Sequence, residues 1–336
     1  MGWRELRRDV SFAAGLLRQR PFQVLLQITN RCNMKCDFCD FWPHGVPREE
    51  ELSLDDYRRL EEELSQLGTF LVSIEGGEPF LREDLVEVVR VFSRRHITAL
   101  YTNGWFVDDT AARSLFEAGL AQVGVSIDYP DAERHDRRRV TPGAFDRAWC
   151  AVDACREAAP YAGRQIHVMT VLMDDNWRDM EALLEASAKR KVAHSMTLYS
   201  PSGFRRADGG ELPSARVSEH LLALWKRFPH LKIFREYLGQ IDSFLDGGAM
   251  PTCRAGVQSF NIDHVGNVAP CIEKIDAAVG NVRKESLETL HSRIRNLSEV
   301  RGCQDCWTTC RGFNQLLGGG PSFRSIRDLS LRMRSS

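Results

Sequence analysis

The stretch Thr29–Pro43, "TNRCNMKCDFCDFWP", places Cys32, Cys36 and Cys39 within eight residues, spaced C-x3-C-x2-C. It follows directly on an apolar, β-branched run, "FQVLLQIT" at 22–29. Thiols this close share a metal, form one disulfide and leave a cysteine over, or stand together by coincidence. The N-terminus argues against an oxidising compartment. The apolar segment Val10–Leu17 is interrupted by Ser11 and followed by arginines, where a signal peptide has a small-residue cleavage site. A cytoplasmic location is therefore expected, where thiols stay reduced. Ten cysteines in such a chain point to metal or redox chemistry.

The surroundings of the cysteines suggest a rim. At 336 residues, 43% apolar and 27% charged, the chain has the composition of an ordinary globular protein with a full core. Its net charge of −1 supplies no field for nucleic acid, and none is expected as a partner. No apolar run reaches the ~18 residues that a membrane span needs. Short apolar runs at 22–29, 70–77, 97–103, 122–128, 165–173 and 194–200 read as strands. Helical patterns at 53–68, 82–95, 108–118, 144–158, 177–190 and 217–228 follow them. In the first, Ser53 and Asp56 are spaced as a capping box, Leu60, Leu64 and Leu67 form one face, and Gly68 supplies a left-handed stop. Six β-then-α units imply parallel strands, in either an open doubly wound sheet or a curved partial barrel. Both bind ligands at the C-terminal strand ends. Those ends carry the cysteine loop, Gly76-Gly77-Glu78-Pro79, Thr102-Asn103-Gly104 and Ser126-Ile127-Asp128.

The remaining cysteines divide in two. Cys150 and Cys155 lie in an alanine-rich helical pattern and read as small core residues. Cys253, Cys271, Cys303, Cys306 and Cys310 follow the point near residue 236 where the β/α rhythm fades. Three loop cysteines suit a cubane with one iron open, because thiolates are the usual ligands of such clusters. The rival is a closed Cys3His zinc site completed by His44. At the N-terminus, Trp3, Leu6, Val10, Leu16 and Leu17 form an apolar stripe flanked by Arg4, Arg7, Arg8, Arg18 and Arg20. Packing against the core is expected for it, with contact to a membrane surface as the alternative.

These motifs together resemble the radical S-adenosylmethionine (SAM) superfamily. The resemblance rests on C-x3-C-x2-C after the first strand with Phe38 before the last cysteine, and on GGEP ending the second strand. The segment "VSIDYPDAERHDRRR" is similar to the S-[IL]-D…H-D…R stretch of members with an auxiliary-cluster domain. The likeness spans roughly residues 22–310. "CRAGVQSFNIDHVGNVAPC", with Gly266 five residues before Cys271, resembles the opening of a SPASM/Twitch extension, which continues here as C303-x2-C306-x3-C310. Two places depart from the family pattern: Tyr129-Pro130 replaces a common Gly-Pro, and the fifth strand lacks the glycine-containing adenine motif.

The resemblance implies an α/β fold: a partial (β/α)6 TIM-like barrel at 22–235, an N-terminal amphipathic helix at 1–21, and a SPASM/Twitch-type domain and tail at 236–336. It implies a [4Fe–4S] cluster on Cys32, Cys36 and Cys39, with SAM on the open iron. Phe38, Gly76, Gly77, Glu78, Pro79, Asn103, Ser126 and Asp128 are the expected SAM contacts. Arg139 would pair with the SAM carboxylate or be solvated. The glycine pair would let backbone approach the methionyl amine closely, while His135 and Asp136 would fix their loop. Five late cysteines are too few for two fully cysteine-ligated cubanes, so one auxiliary [4Fe–4S] cluster is expected. Cys253, Cys271, Cys303 and Cys306 are its expected ligands and Cys310 a ligand or close neighbour, with a zinc ribbon as the rival. In the implied reaction an electron from the cluster splits SAM, and the 5′-deoxyadenosyl radical abstracts hydrogen from a C–H bond. Only about twenty residues precede the first strand, which favours a small molecule or lipid over a peptide substrate. Net oxidation through the auxiliary cluster is expected, fed by a low-potential donor such as flavodoxin or ferredoxin. The alternatives are a redox-neutral epimerase, eliminase or decarboxylase, a peptide-modifying maturase, and a non-catalytic iron- or zinc-binding regulator.

Overall fold

The computed structural model describes residues 3–159, 165–203 and 207–318. Helix α1 (Trp3–Leu17) precedes six alternating units. They are β1 (Gln23–Thr29), α2 (Leu54–Leu67), β2 (Leu71–Gly76), α3 (Leu85–Ser93), β3 (Ile97–Thr102), α4 (Asp109–Glu117), β4 (Gln122–Ser126), α5 (Ala132–Arg138), α6 (Ala144–Ala158), β5 (Gln165–Leu172), α7 (Met180–Lys189), β6 (Ala193–Leu198) and α8 (Ser218–Arg227). The rest comprises α9 (Arg235–Gly239), α10 (Ile241–Leu245), β7 (Ser259–Ile262), β8 (Asn267–Ala269), β9 (Gly280–Asn281), α11 (Leu287–Arg295), α12 (Ser298–Arg301) and α13 (Thr309–Gly318).

Strand order decides between the two architectures. Adjacent pairs from β1 to β6 are all parallel, and the sheet reads β6-β5-β4-β3-β2-β1-β7-β8-β9. A doubly wound sheet reverses its order at a switch point and so has helices on both faces. Here the order runs one way, so right-handed crossovers put every helix on the same face and the sheet curves into an open barrel. The side chains on the helix-facing side of the strands (Val24, Leu26, Val72, Ile74, Leu100, Val123, Val125, Val168) are buried in one core with the helices, as a helix-covered parallel sheet requires. The late segment extends this sheet: β7 pairs parallel with β1, and β8 and β9 add antiparallel.

Local signals held with small corrections. Ser53 and Asp56 form the reciprocal capping box of α2, while Leu60 and Leu64 are buried. Gly68 ends that helix at φ 152°, ψ −164°, a positive φ that favours glycine but outside the left-handed helical region. Helix α3 starts at Leu85, not Arg82, because Arg82 and Asp84 are held in a buried ion-pair network. Residues 177–179 form a 3-10 turn ahead of α7. Cys155 is buried, but Cys150 on the same helix is exposed and no core residue. The N-terminal stripe also differs: Trp3, Leu6, Val10 and Leu17 face outward, and α1 packs through Phe12, whose ring meets Phe22 edge-on at 6.3 Å. Residue 236 falls inside α9, where Tyr237 bridges the two parts. Its hydroxyl accepts from Leu198 N and donates to Trp307 O, and its ring stacks on Trp307. Among the described residues no helix is long and apolar enough to cross a membrane.

Candidate functional site

The loop that leaves β1 is fixed from below by buried charge. Glu51 and Arg82 side chains are fully buried and paired at 3.3 Å. Glu51 also takes the Thr29 hydroxyl and the Arg31 guanidinium. Arg82 donates to Ile28 O and Leu52 O, and to both oxygens of Asp84. Three residues flanking the first cysteine are thereby held on one carboxylate and its partner. A buried charge is tolerable only when paired and hydrogen-bonded in this way. The residues from Thr29 to Arg31 in turn receive the second strand end: Gly77 N donates to Thr29 O at 2.7 Å and Glu78 N to Arg31 O at 2.9 Å.

From above, α5 braces the loop. Arg138 donates to Asp37 at 2.7 Å, to the Tyr129 hydroxyl and to Gly209 O, and its own carbonyl accepts from Asp37 N. Both Arg138 and Arg139 stack their guanidinium groups over Phe38, at 5.7 and 5.8 Å. Phe38 packs with Tyr129, Met173 and Tyr199. His135 accepts from Asp128 N, and Asp136 accepts from Gly143 N and Phe145 N, so both shape this loop.

These elements enclose a cleft of about 1090 Å³, counting the part continuous with solvent, at the C-terminal ends of the strands. Cys32, Cys36 and Cys39 line it with Phe38, Gly76, Gly77, Asn103, Ser126 and Arg139. Glu78, Pro79 and Asp128 lie behind the wall. Glu78 accepts from Phe80 N, Asn103 N and the Thr102 hydroxyl. Its burial pushes its carboxyl up to about 7, against those hydrogen bonds and Arg139. Asp128 is buried on Val171 N and on Arg139 at 2.5 Å. Arg139 is thus neither solvated nor unpaired: its guanidinium is charge-balanced by Asp128 and faces the thiols of Cys36 and Cys32.

The structure gives the glycine pair a physical reason of its own, beside any close approach to a ligand. A Cβ on Gly76 would sit 2.0 Å from Thr29 O, and one on Gly77 2.2 Å from Arg31 O. Gly76 adds a φ of 135°. The stem of the cysteine loop leaves no room for a side chain at either position.

The donor set fits a cluster. All ten cysteines are free. Burial pushes the Cys32 and Cys39 thiols up to about 12 and raises Cys36, so loading metal must displace protons. Met34 N donates to Cys32 Sγ at 3.4 Å, and Asn103 Nδ2 approaches it at 3.9 Å. Sulfurs on one zinc lie within about 4 Å of each other. Among the described residues no three His, Cys, Asp or Glu side chains gather to hold a single ion, and the cysteines line a cavity instead. His44 is half-exposed beside Asp40 and does not line the cleft, so it does not complete a Cys3His site.

A second cavity of about 560 Å³, counting the part continuous with solvent, is lined by all five late cysteines, with Glu273, Lys274, Asp305 and Arg311. The β7–β8 hairpin delivers Cys271. Gly266 turns it at φ 93°, and Asp263 accepts from Val265 N and Asn267 N. Cys306 precedes α13 and Cys310 lies in its first turn, so the two are not one helical turn apart. They still meet at the cavity. The two cavities share a wall: Cys39 and Cys310 pack on one small cluster of Leu25, Phe41 and Ile272.

Several cleft residues lay outside the motifs. Met169 and Val171 alternate along β5, Tyr101 lies next to the end of β3, Thr197 lies near the end of β6, and Tyr199 and Ser200 follow it. Period-two alternation on the last two strands is the signal that marks these as lumen-facing. Glu51, Arg82 and Arg138 carry no periodic signal at all.

A family model for the Radical SAM superfamily matches residues 26–186, and one for an iron-sulfur cluster-binding domain, SPASM, matches residues 253–308. The chain is 30% identical over 316 residues to an AdoMet-dependent heme synthase of Methanosarcina barkeri, covering 85% of this chain and 88% of that protein. It is also 30% identical to GTP 3′,8-cyclase of Cronobacter sakazakii, covering 81% and 80%. Fe-coproporphyrin III synthase of M. barkeri is 30% identical over 67% of this chain, which spans 56% of that relative's length. Among solved structures, Streptococcus suis SuiB bound to precursor peptide SuiA superposes with a TM-score of 0.63 at 17% identity, covering 91% and 75%, a likeness of fold.

Proposed function

The chain belongs to the radical SAM superfamily, and from that premise we propose that it oxidises a small biosynthetic molecule by abstracting hydrogen from a C–H bond. SAM, a [4Fe–4S] cluster and an auxiliary iron–sulfur cluster are the cofactors of its two domains. When bound, the first cluster supplies the electron that splits SAM into methionine and the 5′-deoxyadenosyl radical that takes the substrate hydrogen. Cys32, Cys36 and Cys39 would hold that cluster. Arg139, balanced by Asp128, places positive charge beside the thiolates. Tyr101, Met169, Val171 and Tyr199 would orient the substrate and keep water from the reacting carbon.

The observation that carries the oxidative reading is the shared wall of the two cavities at Leu25, Phe41 and Ile272. An auxiliary cluster there would lie across one wall from the substrate cleft and could accept the electron of a substrate radical, while a low-potential donor such as flavodoxin or ferredoxin would feed the first cluster. The names of the relatives, heme, coproporphyrin and GTP enzymes, support a small-molecule substrate over a peptide.

The test is anaerobic. Reconstituted protein with reductant and SAM should yield 5′-deoxyadenosine. With a substrate deuterated at the reacting carbon, deuterium should appear in that product while the auxiliary cluster becomes reduced. No 5′-deoxyadenosine would refute an enzymatic role. Deuterium transfer with the auxiliary cluster unchanged would favour a redox-neutral epimerase, eliminase or decarboxylase.

A further inference from the structure

The outward face of α1 is apolar and uncovered. Trp3, Leu6, Val10 and Leu17 are 74%, 41%, 60% and 85% exposed, and Ala13 between them is exposed too. Steps of three and four residues put all five on one face of the helix. The opposite face does the packing, through Phe12 on Phe22 and a hydrogen bond from the Thr69 hydroxyl to Ser11 at 3.0 Å. Large side chains on a solvent-facing helix lose free energy by staying in water, and a stripe of them marks an interaction surface.

Charge identifies the occupant. The segment 3–20 carries five arginines against Glu5 and Asp9, in a chain whose net charge is −1. Arg7 lies one turn from both Trp3 and Val10, Arg18 follows Leu17, and Arg7, Arg18 and Arg20 are exposed. A second copy would set two arginine-rich helices against each other, whereas anionic headgroups complement them. An exposed Trp beside Leu and Val, rimmed by arginine, is the pattern of a helix lying in the headgroup plane.

We propose that α1 docks the protein on an anionic lipid surface, with Trp3, Leu6, Val10 and Leu17 at the acyl boundary and Arg7, Arg18 and Arg20 on the phosphates. Phe22 and Thr69, which hold α1, precede β1 and β2, so the helix sits at the N-terminal end of the barrel. The cleft opens at the other end. Docking therefore leaves the cleft facing the aqueous side, and the surface acts as an anchor rather than as the source of substrate.

Iron-loaded full-length protein should co-sediment with phosphatidylglycerol vesicles, weakly with phosphatidylcholine vesicles, and less as salt rises. The double variant Leu6→Glu, Val10→Glu should lose affinity on the order of a hundred-fold. Arg7→Glu, Arg18→Glu should lose the preference for phosphatidylglycerol. All four residues are remote from the cleft, so 5′-deoxyadenosine formation without vesicles should be unchanged, which shows that the variants fold. Absence of binding at low salt, or unchanged binding by the Leu6/Val10 variant, would overturn the proposal. So would a concentration-dependent dimer abolished by Val10→Glu, which would assign the stripe to a second copy.

Discussion

Gly77→Ala tests the packing of the cysteine-loop stem. The added Cβ would sit 2.2 Å from Arg31 O, 2.7 Å from Arg31 C and 2.7 Å from Asn30 O. These are backbone atoms and have no rotamer by which to move aside. The stem is also pinned: Arg82 holds Ile28 O, and Glu51 holds the Thr29 hydroxyl and the Arg31 guanidinium. Relief must therefore come from separating residues 76–78 from the stem. That endangers Gly77 N→Thr29 O and Glu78 N→Arg31 O, each worth about 1 kcal/mol net. Overpacking adds about 1–3 kcal/mol, so the expected loss is about 2–5 kcal/mol. Cys32 is the next residue along, so cluster loading should fall as well. The assay pairs the urea midpoint of iron-loaded protein, followed by circular dichroism, with the iron content after anaerobic reconstitution. Gly15→Ala is the control: it lies in α1, an added Cβ meets nothing within 4 Å, and alanine should stabilise the helix by about 0.5–1 kcal/mol. A Gly77→Ala protein with the wild-type midpoint and full iron would refute the argument that the stem demands glycine there.

Replacing Cys32, Cys36 or Cys39 by Ala should abolish 5′-deoxyadenosine formation, and full activity in any one variant would sink their assignment as cluster ligands. Reconstituted protein should carry about eight irons per chain, and the triple variant of those cysteines about four, as two cubanes require. Cys310→Ala in that triple background should keep those four irons if Cys253, Cys271, Cys303 and Cys306 are the ligands; their loss would put Cys310 in the set, and zinc in their place would remove the auxiliary cluster from the reaction. Acid should destabilise the fold through its buried histidines. Burial lowers His194 to about 3 and His96 and His167 to about 4, so below about 6.5 the unfolded chain binds more protons than the native one. Stability should hold above pH 6.5 and fall towards those values, by about 2 kcal/mol per histidine at pH 5. His194→Asn should flatten that slope, and an unchanged urea midpoint from pH 7 to pH 5 would contradict the reasoning.

The elements were legible because each carries its own periodicity. Six apolar runs alternate with amphipathic segments, and a capping box at Ser53 and Asp56 needs only local geometry. Barrel against open sheet was not legible in the periodicity, because both contain the same β/α units and differ only in which strands pair; the expectation of a barrel came from the motif resemblance. The cysteine loop and the strand ends that meet it were marked by residue type, since thiols and paired glycines have few other uses. The ion network of Glu51, Arg82 and Asp84 was not. Its members come from two loops 31 residues apart, and a buried arginine is written with the same letter as a solvated one.

Two readings show why a pattern can be right while its cause stays unwritten in the sequence. Gly76 and Gly77 announce that something approaches the backbone closely, yet sequence does not say what. The approaching atoms are Thr29 O and Arg31 O of the same chain. Helix α1 announces amphipathicity, yet it has two apolar sides. Phe12 and Leu16 lie towards the barrel, and the longer stripe from Trp3 to Leu17 lies away from it. A hydrophobic pattern fixes which residues share a face, while the side that meets the core is set by what the rest of the chain offers it. Here Phe22 and Thr69 offer a small site that fits Phe12 and Ser11, and the larger stripe is left for another surface.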